Sequence, residues 1–220
     1  PLVKQSNSVL LDPLRTRDME HSAVIIGIDD VTLKELGAWP LDRKVFADLI
    51  ERLDGKGIKG LVFDVLFLEE KPSDMYMLKA LGQASYPVVL GGKTSSGEIL
   101  HPVYPLEGRV SDGFVNVLPD SDGKVRNFIP SAVKDNKCVN PLALVFFGLT
   151  NGMCFQNKTE AFFYPRTITE FSLVDVLKGK VPKELLEGKV LFVGATTLDL
   201  EDYFVGLQGD KIPGVYVHAA

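Results

Sequence analysis

Three short apolar runs, each ending in polar residues, constrain the fold of this chain more than any other feature. Each run is almost continuously hydrophobic, which is typical of a strand buried on both faces of a parallel sheet. The carboxyl ends of such strands form the edge at which open α/β sheets bind ligands. With their polar ends, the runs cover residues 24–30, 61–64 and 190–197. We therefore expect aspartate carboxylates and threonine hydroxyls to meet at one edge of a sheet.

The segment between the first two runs predicts a helical crossover and, with it, the fold class. Apolar residues at positions 45, 46, 49, 50 and 53 form one helical face, and Gly55 follows as a stop signal. A strand, a helix and a strand in this order form a parallel crossover. The sequence predicts a single α/β domain over residues 23–220, with a mixed sheet whose parallel core is flanked by helices on both faces. Residues 1–22 are expected to form a lead-in helix or arm.

Weaker local signals predict the remaining secondary structure. Residues 114–117 and 125–129 flank a turn rich in aspartate and glycine, which predicts an antiparallel hairpin. An apolar segment at 140–149 predicts a buried helix, and residues 160–164 are expected to form a strand. The segment 91–108 is rich in glycine, proline and serine and predicts a loop.

Charge and hydropathy limit the classes of partner. The 220 residues carry a formal net charge of −5 and contain no lysine- or arginine-rich run. Because a nucleic-acid-binding face is basic, nucleic acid is not an expected partner. No apolar stretch reaches the length of about 18 residues that a membrane-spanning helix needs. The chain begins without methionine and ends in what reads as a further element, so we expect it to be a piece of a longer protein.

Neither the cysteines nor the glycines indicate a metal or a cofactor. Cys138 and Cys154 form no Cys-x-x-Cys pair, and the histidines are scattered, so a structural zinc site is not expected. The two cysteines fit either a disulfide in an oxidising compartment or two small buried side chains. A G-x-G-x-x-G pattern at 55–60 follows a helix and precedes a strand, which is the reverse of a dinucleotide-binding turn.

Asp29 and Asp64 end two of the predicted strands and are the residues best placed for chemistry. Their carboxylates could together bind a hard cation such as magnesium, as a phosphohydrolase would require. Each could instead hydrogen-bond a neighbouring loop or pair with Arg43. Asp30 is expected to cap the short helix that follows the first strand.

Arg43 is at the beginning of a predicted helix, where a positive charge opposes the helix dipole. It therefore needs another reason to be there. A salt bridge to Asp29 or Asp64 would supply one reason, and a bound anion would supply another.

A series of short motifs along nearly the whole chain resembles the type-two CHASE family, the extracellular sensory domains associated with bacterial cyclases and histidine kinases. The most specific are Trp-Pro-x-x-Arg, beginning at Trp39, and the Pro-Gly-Val and His-Ala near the end. The motifs, in the order of the family, are Ile28-Asp29-Asp30, Gly37-Ala38-Trp39-Pro40 with Arg43 and Ala47, Phe63-Asp64-Val65-Leu66-Phe67 with Glu69, Gly113-Phe114-Val115-Asn116, Asp120, Asp122-Gly123, Val125-Arg126, Gly188-Lys189-Val190, Val193-Gly194-Ala195-Thr196, Asp202, Pro213-Gly214-Val215 and His218-Ala219. The family usually has Thr-Pro after the aspartate matching Asp202, and its absence here leaves the conformation of residues 203–212 open.

The resemblance implies a non-enzymatic signal-input domain outside the cytoplasm, placed after one membrane helix and before several more. Its partners would be those helices, a cytoplasmic cyclase, kinase or diguanylate cyclase output domain, and an unknown small-molecule or ionic ligand. A second copy of the domain is also expected, because output enzymes of these classes generally work as dimers. Residues 1–20 and 213–220 should then emerge on one side of the domain, facing one membrane. No cofactor is expected.

The expected ligand-binding residues are Asp29, Trp39, Arg43, Asp64 and Arg126, each of which could instead have a structural role. Two other functions stay open. One is a magnesium-dependent phosphohydrolase that uses Asp29 and Asp64, and the other is a dimerisation module without a ligand.

Overall fold

A computed structural model of the chain describes residues 22–95, 98–105, 108–125, 131–134, 137–142, 144–145, 168–206 and 209–219. The expected lead-in at 1–22 except its last residue, the strand at 160–164 and half of the helix at 140–149 lie outside these residues. Cys154 lies outside them too, so both readings of the cysteines stay open. The expectation that the two chain ends emerge on one side also stays a prediction.

The described chain alternates strands with short helices. The strands are β1 (Ala23–Ile28), β2 (Gly60–Leu66), β3 (Val88–Ser95), β4 (Glu98–Leu100), β5 (Val110–Phe114), β6 (Ala132–Lys134), β7 (Lys137–Val139), β8 (Thr169–Ser172), β9 (Val190–Ala195), β10 (Tyr203–Val205) and β11 (Lys211–Pro213). The α-helices are α1 (Asp30–Leu36), α2 (Arg43–Leu53), α3 (Asp74–Gln83), α4 (Leu173–Leu177) and α5 (Gly214–Ala219). Single turns of 3₁₀ helix lie at Lys183–Leu185 and Leu198–Leu200.

Seven strands form one mixed sheet in the order β4-β3-β2-β9-β1-β8, with β5 paired to β3 off this path. Strands β1 and β2 both pair in parallel with β9, so the three apolar runs of the sequence lie side by side. Strands β3, β5 and β8 extend this parallel core, and β4 adds an antiparallel edge. The predicted α/β fold with a mixed sheet and a parallel core is confirmed.

The central strands are apolar throughout because both faces of the sheet are covered. Successive side chains of a strand point to opposite faces, and in β2 Phe63 joins a core with α2, α3 and α4, whereas Val62 joins a second core with Val215 of α5. We call these two sides the α2 face and the α5 face. Asp64 follows Phe63 and therefore lies on the α5 face.

Two local expectations are corrected. Asp29, and not Asp30, is the N-cap of α1, because its side chain accepts a hydrogen bond from the backbone of Thr32. The segment 91–108 is not all loop: β3 continues to Ser95 and pairs with β4. The glycine at 91 reflects close packing, since a Cβ there would lie 2.7 Å from the carbonyl oxygen of Val65.

The hairpin is confirmed as a feature of the fold, although not at the expected residues. Antiparallel hairpins form between β10 and β11 and between β6 and β7. Phe114 ends β5, which runs parallel to β3, so the strand expected at 114–117 is wrong. The expected turn is present, because the backbone N–H of Gly123 donates to the carbonyl of Asp120 at 2.8 Å. Residues 126–130 lie outside the described chain.

Candidate functional site

The sheet register brings Asp64 under helix α5. Phe63 of β2 pairs with Val193 of β9, so Asp64 lies beside Gly194, one residue further along both strands. A Cβ at Gly194 would lie 2.6 Å from the Cβ of Val215 and 3.2 Å from the Cβ of Asp64. The missing side chain at this position is therefore what lets α5 approach the sheet next to the carboxylate.

Helix α5 carries His218 into this space. The Nε2 atom of His218 lies 3.7 Å from Oδ1 of Asp64, and the two side chains are 6% and 7% exposed. The same helix begins against Asp202: the backbone N–H of Gly214 donates to the carbonyl of Asp202 at 2.9 Å. A Cβ at Gly214 would lie 2.6 Å from the Asp202 carboxylate. We call Asp64, Asp202 and His218 the acid–histidine cluster.

Burial controls the protonation of the acid–histidine cluster. It raises the pKa of Asp64 to about 7. Burial, with a smaller effect of the Asp64 charge, raises the pKa of Asp202 to about 6, although His218 opposes it. Burial lowers the pKa of His218 to about 4, against the charge of Asp202 and a hydrogen bond to the backbone of Val115. Near neutral pH, therefore, His218 is uncharged and Asp64 holds its proton for part of the time.

Asp29 has a structural role at the end of β1. Its Oδ1 accepts hydrogen bonds from the backbone N–H of Thr32 at 2.8 Å and from the hydroxyl of Ser172 at 2.9 Å. It thereby caps α1 and ties that helix to the end of β8. Asp30 is the first residue of α1 and accepts a hydrogen bond from Thr197. The two carboxylates of the phosphohydrolase hypothesis, Asp29 and Asp64, thus serve different contacts.

Arg43 lies on the other side of β2, and its partner is neither Asp29 nor Asp64. Its Nε lies 3.3 Å from Oδ1 of Asp74, as an ion pair without hydrogen-bond alignment. Its Nη2 donates to the carbonyl of Glu69 at 3.1 Å, and the guanidinium carbon sits 4.7 Å from the centroid of the Phe67 ring. The hydroxyl of Tyr104 also donates to Asp74. We call Arg43, Phe67, Asp74 and Tyr104 the arginine cluster.

The charge of Asp74 follows from these contacts. Burial alone would raise its pKa, but the hydrogen bonds from Tyr104 and from the backbone of Lys71, together with Arg43, hold that pKa below its usual value. Asp74 is therefore ionised at neutral pH, and Arg43 is neutralised by it.

A groove of about 550 Å³ opens beside the arginine cluster. Its lining includes Pro40, Leu41, Arg43, Leu66 and Pro72. Trp39 directly precedes this lining and is 39% exposed. Of the five expected binding residues, the structure thus places Arg43 in the lining of this groove and Trp39 next to it in the chain. It places Asp29 and Asp64 in other contacts, and Arg126 lies outside the described residues.

Sequence reasoning missed Asp202 and His218 as site residues. Both belong to family motifs, yet the scattered histidines gave no ligand spacing. A usable signal was the apolar setting of His218 in Val215-Tyr216-Val217-His218-Ala219, which predicts a buried imidazole. Across the part of the chain that the structure describes, no group of three or more histidine, cysteine, aspartate or glutamate side chains could hold a metal ion.

Comparison with known families decides the class of this domain. The CHASE2 domain family matches residues 3–220. The chain belongs to the CHASE2 family. CHASE2 domains are extracellular sensory domains, so the sensory role and the family expected from the sequence are confirmed. Searches of curated proteins and of solved structures found no match. Among the described residues of this CHASE2 domain, no helix is long and apolar enough to cross a membrane.

Proposed function

We propose that this CHASE2 domain is the extracytoplasmic signal-input domain of a bacterial transmembrane receptor. It binds a small-molecule or ionic ligand and regulates a cytoplasmic cyclase, kinase or diguanylate cyclase through the membrane helices that flank it. A second copy of the domain completes the signalling unit. Family membership supports the sensory part of this proposal.

The observation that carries the proposal is the position of α5. This helix packs on β9, β1 and β2, and His218 extends from it to Asp64 at the centre of the sheet. A change at the carboxyl edge therefore acts directly on the packing of the last described helix. A ligand can shift that packing by no more than the difference between its affinities for the two arrangements.

The test compares two matched core truncations in the full-length parent protein. Val215→Ala loosens α5, whereas Val176→Ala removes the same atoms from the buried face of α4. In membrane vesicles that contain the parent protein, we expect Val215→Ala to change the output activity about fivefold or more, in the usual range of allosteric coupling. Val176→Ala should leave it near the wild-type value. Equal effects of the two variants would contradict the proposal.

The location is tested separately by thiol labelling. Leu198→Cys places a thiol at a position that is 65% exposed, in a parent protein in which Cys138 and Cys154 are replaced by serine. We expect a membrane-impermeant maleimide to label it in intact cells. Labelling that requires permeabilised cells would place the domain on the cytoplasmic side.

The groove lined by Arg43 is the proposed ligand site, because one expected binding residue lines this open volume and a second, Trp39, directly precedes its lining residue Pro40. Trp39 is the only tryptophan of the chain, so its fluorescence reports binding there. A ligand at 100 times its dissociation constant should stabilise the domain by about 2.7 kcal/mol. A compound that stabilises the domain without changing the fluorescence of Trp39 would place the site elsewhere.

A further inference from the structure

The acid–histidine cluster contains a buried acid, Asp64, and a partly buried acid, Asp202, and the described residues place no lysine or arginine beside them. Asp64 on β2 faces His218 from α5 and Asp202 from the segment before β10. Next to Asp202, the pKa of Tyr203 is raised by burial and by the charges of Asp30, Glu170 and Asp202. Within the described chain, no lysine or arginine contributes to the pKa of Asp64, Asp202 or His218. Gain or loss of protons therefore changes the charge of this cluster without a lysine or arginine of the described chain to offset it.

The contacts of Asp64 are incomplete without a proton. Its Oδ2 is buried and has no hydrogen-bond partner among the described residues. Its Oδ1 faces Nε2 of His218 at 3.7 Å, beyond the range of a normal hydrogen bond. A neutral imidazole has a single N–H, and the ring already bonds the backbone of Val115. When the single N–H of His218 donates to the backbone of Val115, Nε2 carries no hydrogen. Nε2 and the Asp64 carboxylate are then two hydrogen-bond acceptors that face each other.

We propose that the acid–histidine cluster binds a proton that determines how firmly α5 packs on the sheet, which makes external pH a signal for this domain. A proton taken from solvent onto Asp64 gives a hydroxyl that can donate to Nε2 of His218. When Asp64 loses that proton, two hydrogen-bond acceptors again face each other and the carboxylate is a buried charge. Both effects weaken the packing of α5 on the sheet. The physiological meaning rests on the proposed sensory function, whereas proton binding by the cluster does not.

The protonation states described above support the proposal. The carboxyls of Asp64 and Asp202 change charge with pKa values of about 7 and about 6. His218 stays neutral until far lower pH, since its pKa is about 4. Between pH 8 and pH 5 the two acids thus gain protons while His218 keeps an acceptor nitrogen.

The decisive measurement is a titration of the purified domain followed by carbon-13 NMR of its aspartate carboxyls. We expect the Asp64 resonance to titrate with a midpoint near pH 7. Amide hydrogen exchange, corrected for its intrinsic pH dependence, should show α5 protected about tenfold more at pH 5.5 than at pH 8, as a coupling of one pKa unit gives. Protection in α2 should change less. An Asp64 midpoint near pH 4, or α5 protection independent of pH, would overturn the proposal.

Two variants distinguish protonation of the acid–histidine cluster from protonation of other acids in the domain. Asp64→Asn is uncharged and of equal size, and its amide can donate to His218, so the protection of α5 should change much less between the two pH values than in the wild-type domain, with Asp202 as the remaining titrating acid of the cluster. Asp48→Asn removes an exposed acid that pairs with Lys44 on α2 and should keep the wild-type pH response. If Asp64→Asn does not fold, the titration of the wild-type domain still decides. A pH-responsive α5 without a pH-dependent output in the full-length parent would reject pH as the signal and leave the sensory function in place.

Discussion

The two faces of β2 carry buried charges that are resolved in opposite ways. On the α2 face, Arg43 lies against Asp74 and the Phe67 ring. On the α5 face, Asp64 lies against a neutral histidine and a second acid. Contacts lower the pKa of Asp74, whereas burial raises that of Asp64. A buried acid with a cation beside it stays ionised at neutral pH, whereas a buried acid without such a neighbour gains and loses its proton near neutral pH.

The arginine cluster should contribute more to stability than the acid–histidine cluster. Removing one member of a buried ion pair leaves the other charge uncompensated. Loss of Arg43 would also expose the carbonyl of Glu69 and the face of Phe67 to a cavity. We therefore place the largest effects on stability on the α2 face, and the effects that depend on pH on the α5 face.

The largest effect is expected for Arg43→Met. It keeps much of the side-chain volume but leaves Asp74 without its cation, so it should reduce the free energy of unfolding by about 3–5 kcal/mol. Urea denaturation measures this. The neighbouring Lys44→Met removes an exposed ion pair with Asp48 and should cost less than about 1 kcal/mol. Similar costs for the two variants would mean that burial does not distinguish Arg43.

Next in size is the pH dependence that Asp64 gives to stability. Its folded pKa of about 7 exceeds the usual aspartate value of 3.8, so the stabilisation that the protonated carboxyl gives is complete below pH 3.8 and is lost as pH rises through about 7. Asp202 behaves in the same way around pH 6. His218 acts oppositely: its pKa falls from 6.5 to about 4, so its contribution is present above pH 6.5 and lost as pH falls through 4. Between pH 5 and pH 8 the stability lost through the two acids exceeds the stability gained through His218, so the domain becomes less stable as the pH rises.

The measurement is the unfolding free energy of wild type and Asp64→Asn at pH 5 and pH 8. From pH 5 to pH 8, the free energy of unfolding of the wild-type domain should fall by about 2–3 kcal/mol more than that of the variant. The difference between the two proteins removes the contribution of groups that titrate in both. A constant difference across this range would show that Asp64 titrates as it does in the unfolded chain.

A smaller effect is expected at the glycine that begins α5. In Gly214→Ala the new Cβ would lie 2.6 Å from the carboxylate of Asp202, and such overpacking should cost about 1–2 kcal/mol. Gly82→Ala is the control, because nothing lies within 4 Å of a Cβ at this position in α3. It should stabilise the domain by about 0.4–1 kcal/mol. Effects of the same sign would contradict the close approach of α5.

The parallel core was predictable because β1, β2 and β9 are apolar on both faces, a pattern that few other structures produce. Strand β8 was not, since Thr169–Ser172 is short, polar and at the edge. Arg43 was singled out from the sequence, but neither of the two acids suggested as its partner, Asp29 and Asp64, pairs with it. Asp74 lies in α3 and reaches Arg43 only after folding, so no sequence spacing connects the two. The acid–histidine cluster likewise joins residues that are distant in the sequence: Asp64 of β2, Asp202 of the segment between β9 and β10, and His218 of α5.

The smallest effect is expected for Asp29, the acid at the end of β1 that belongs to neither cluster. Asn caps helices about as well as Asp, so Asp29→Asn should change stability by only a few tenths of a kcal/mol, whereas Asp29→Ala should cost about 1 kcal/mol. Asp29→Asn also tests the phosphohydrolase hypothesis. A magnesium-dependent phosphatase turnover that is present in the wild-type domain and lost in Asp29→Asn would make Asp29 a catalytic group and contradict its assignment as a helix cap.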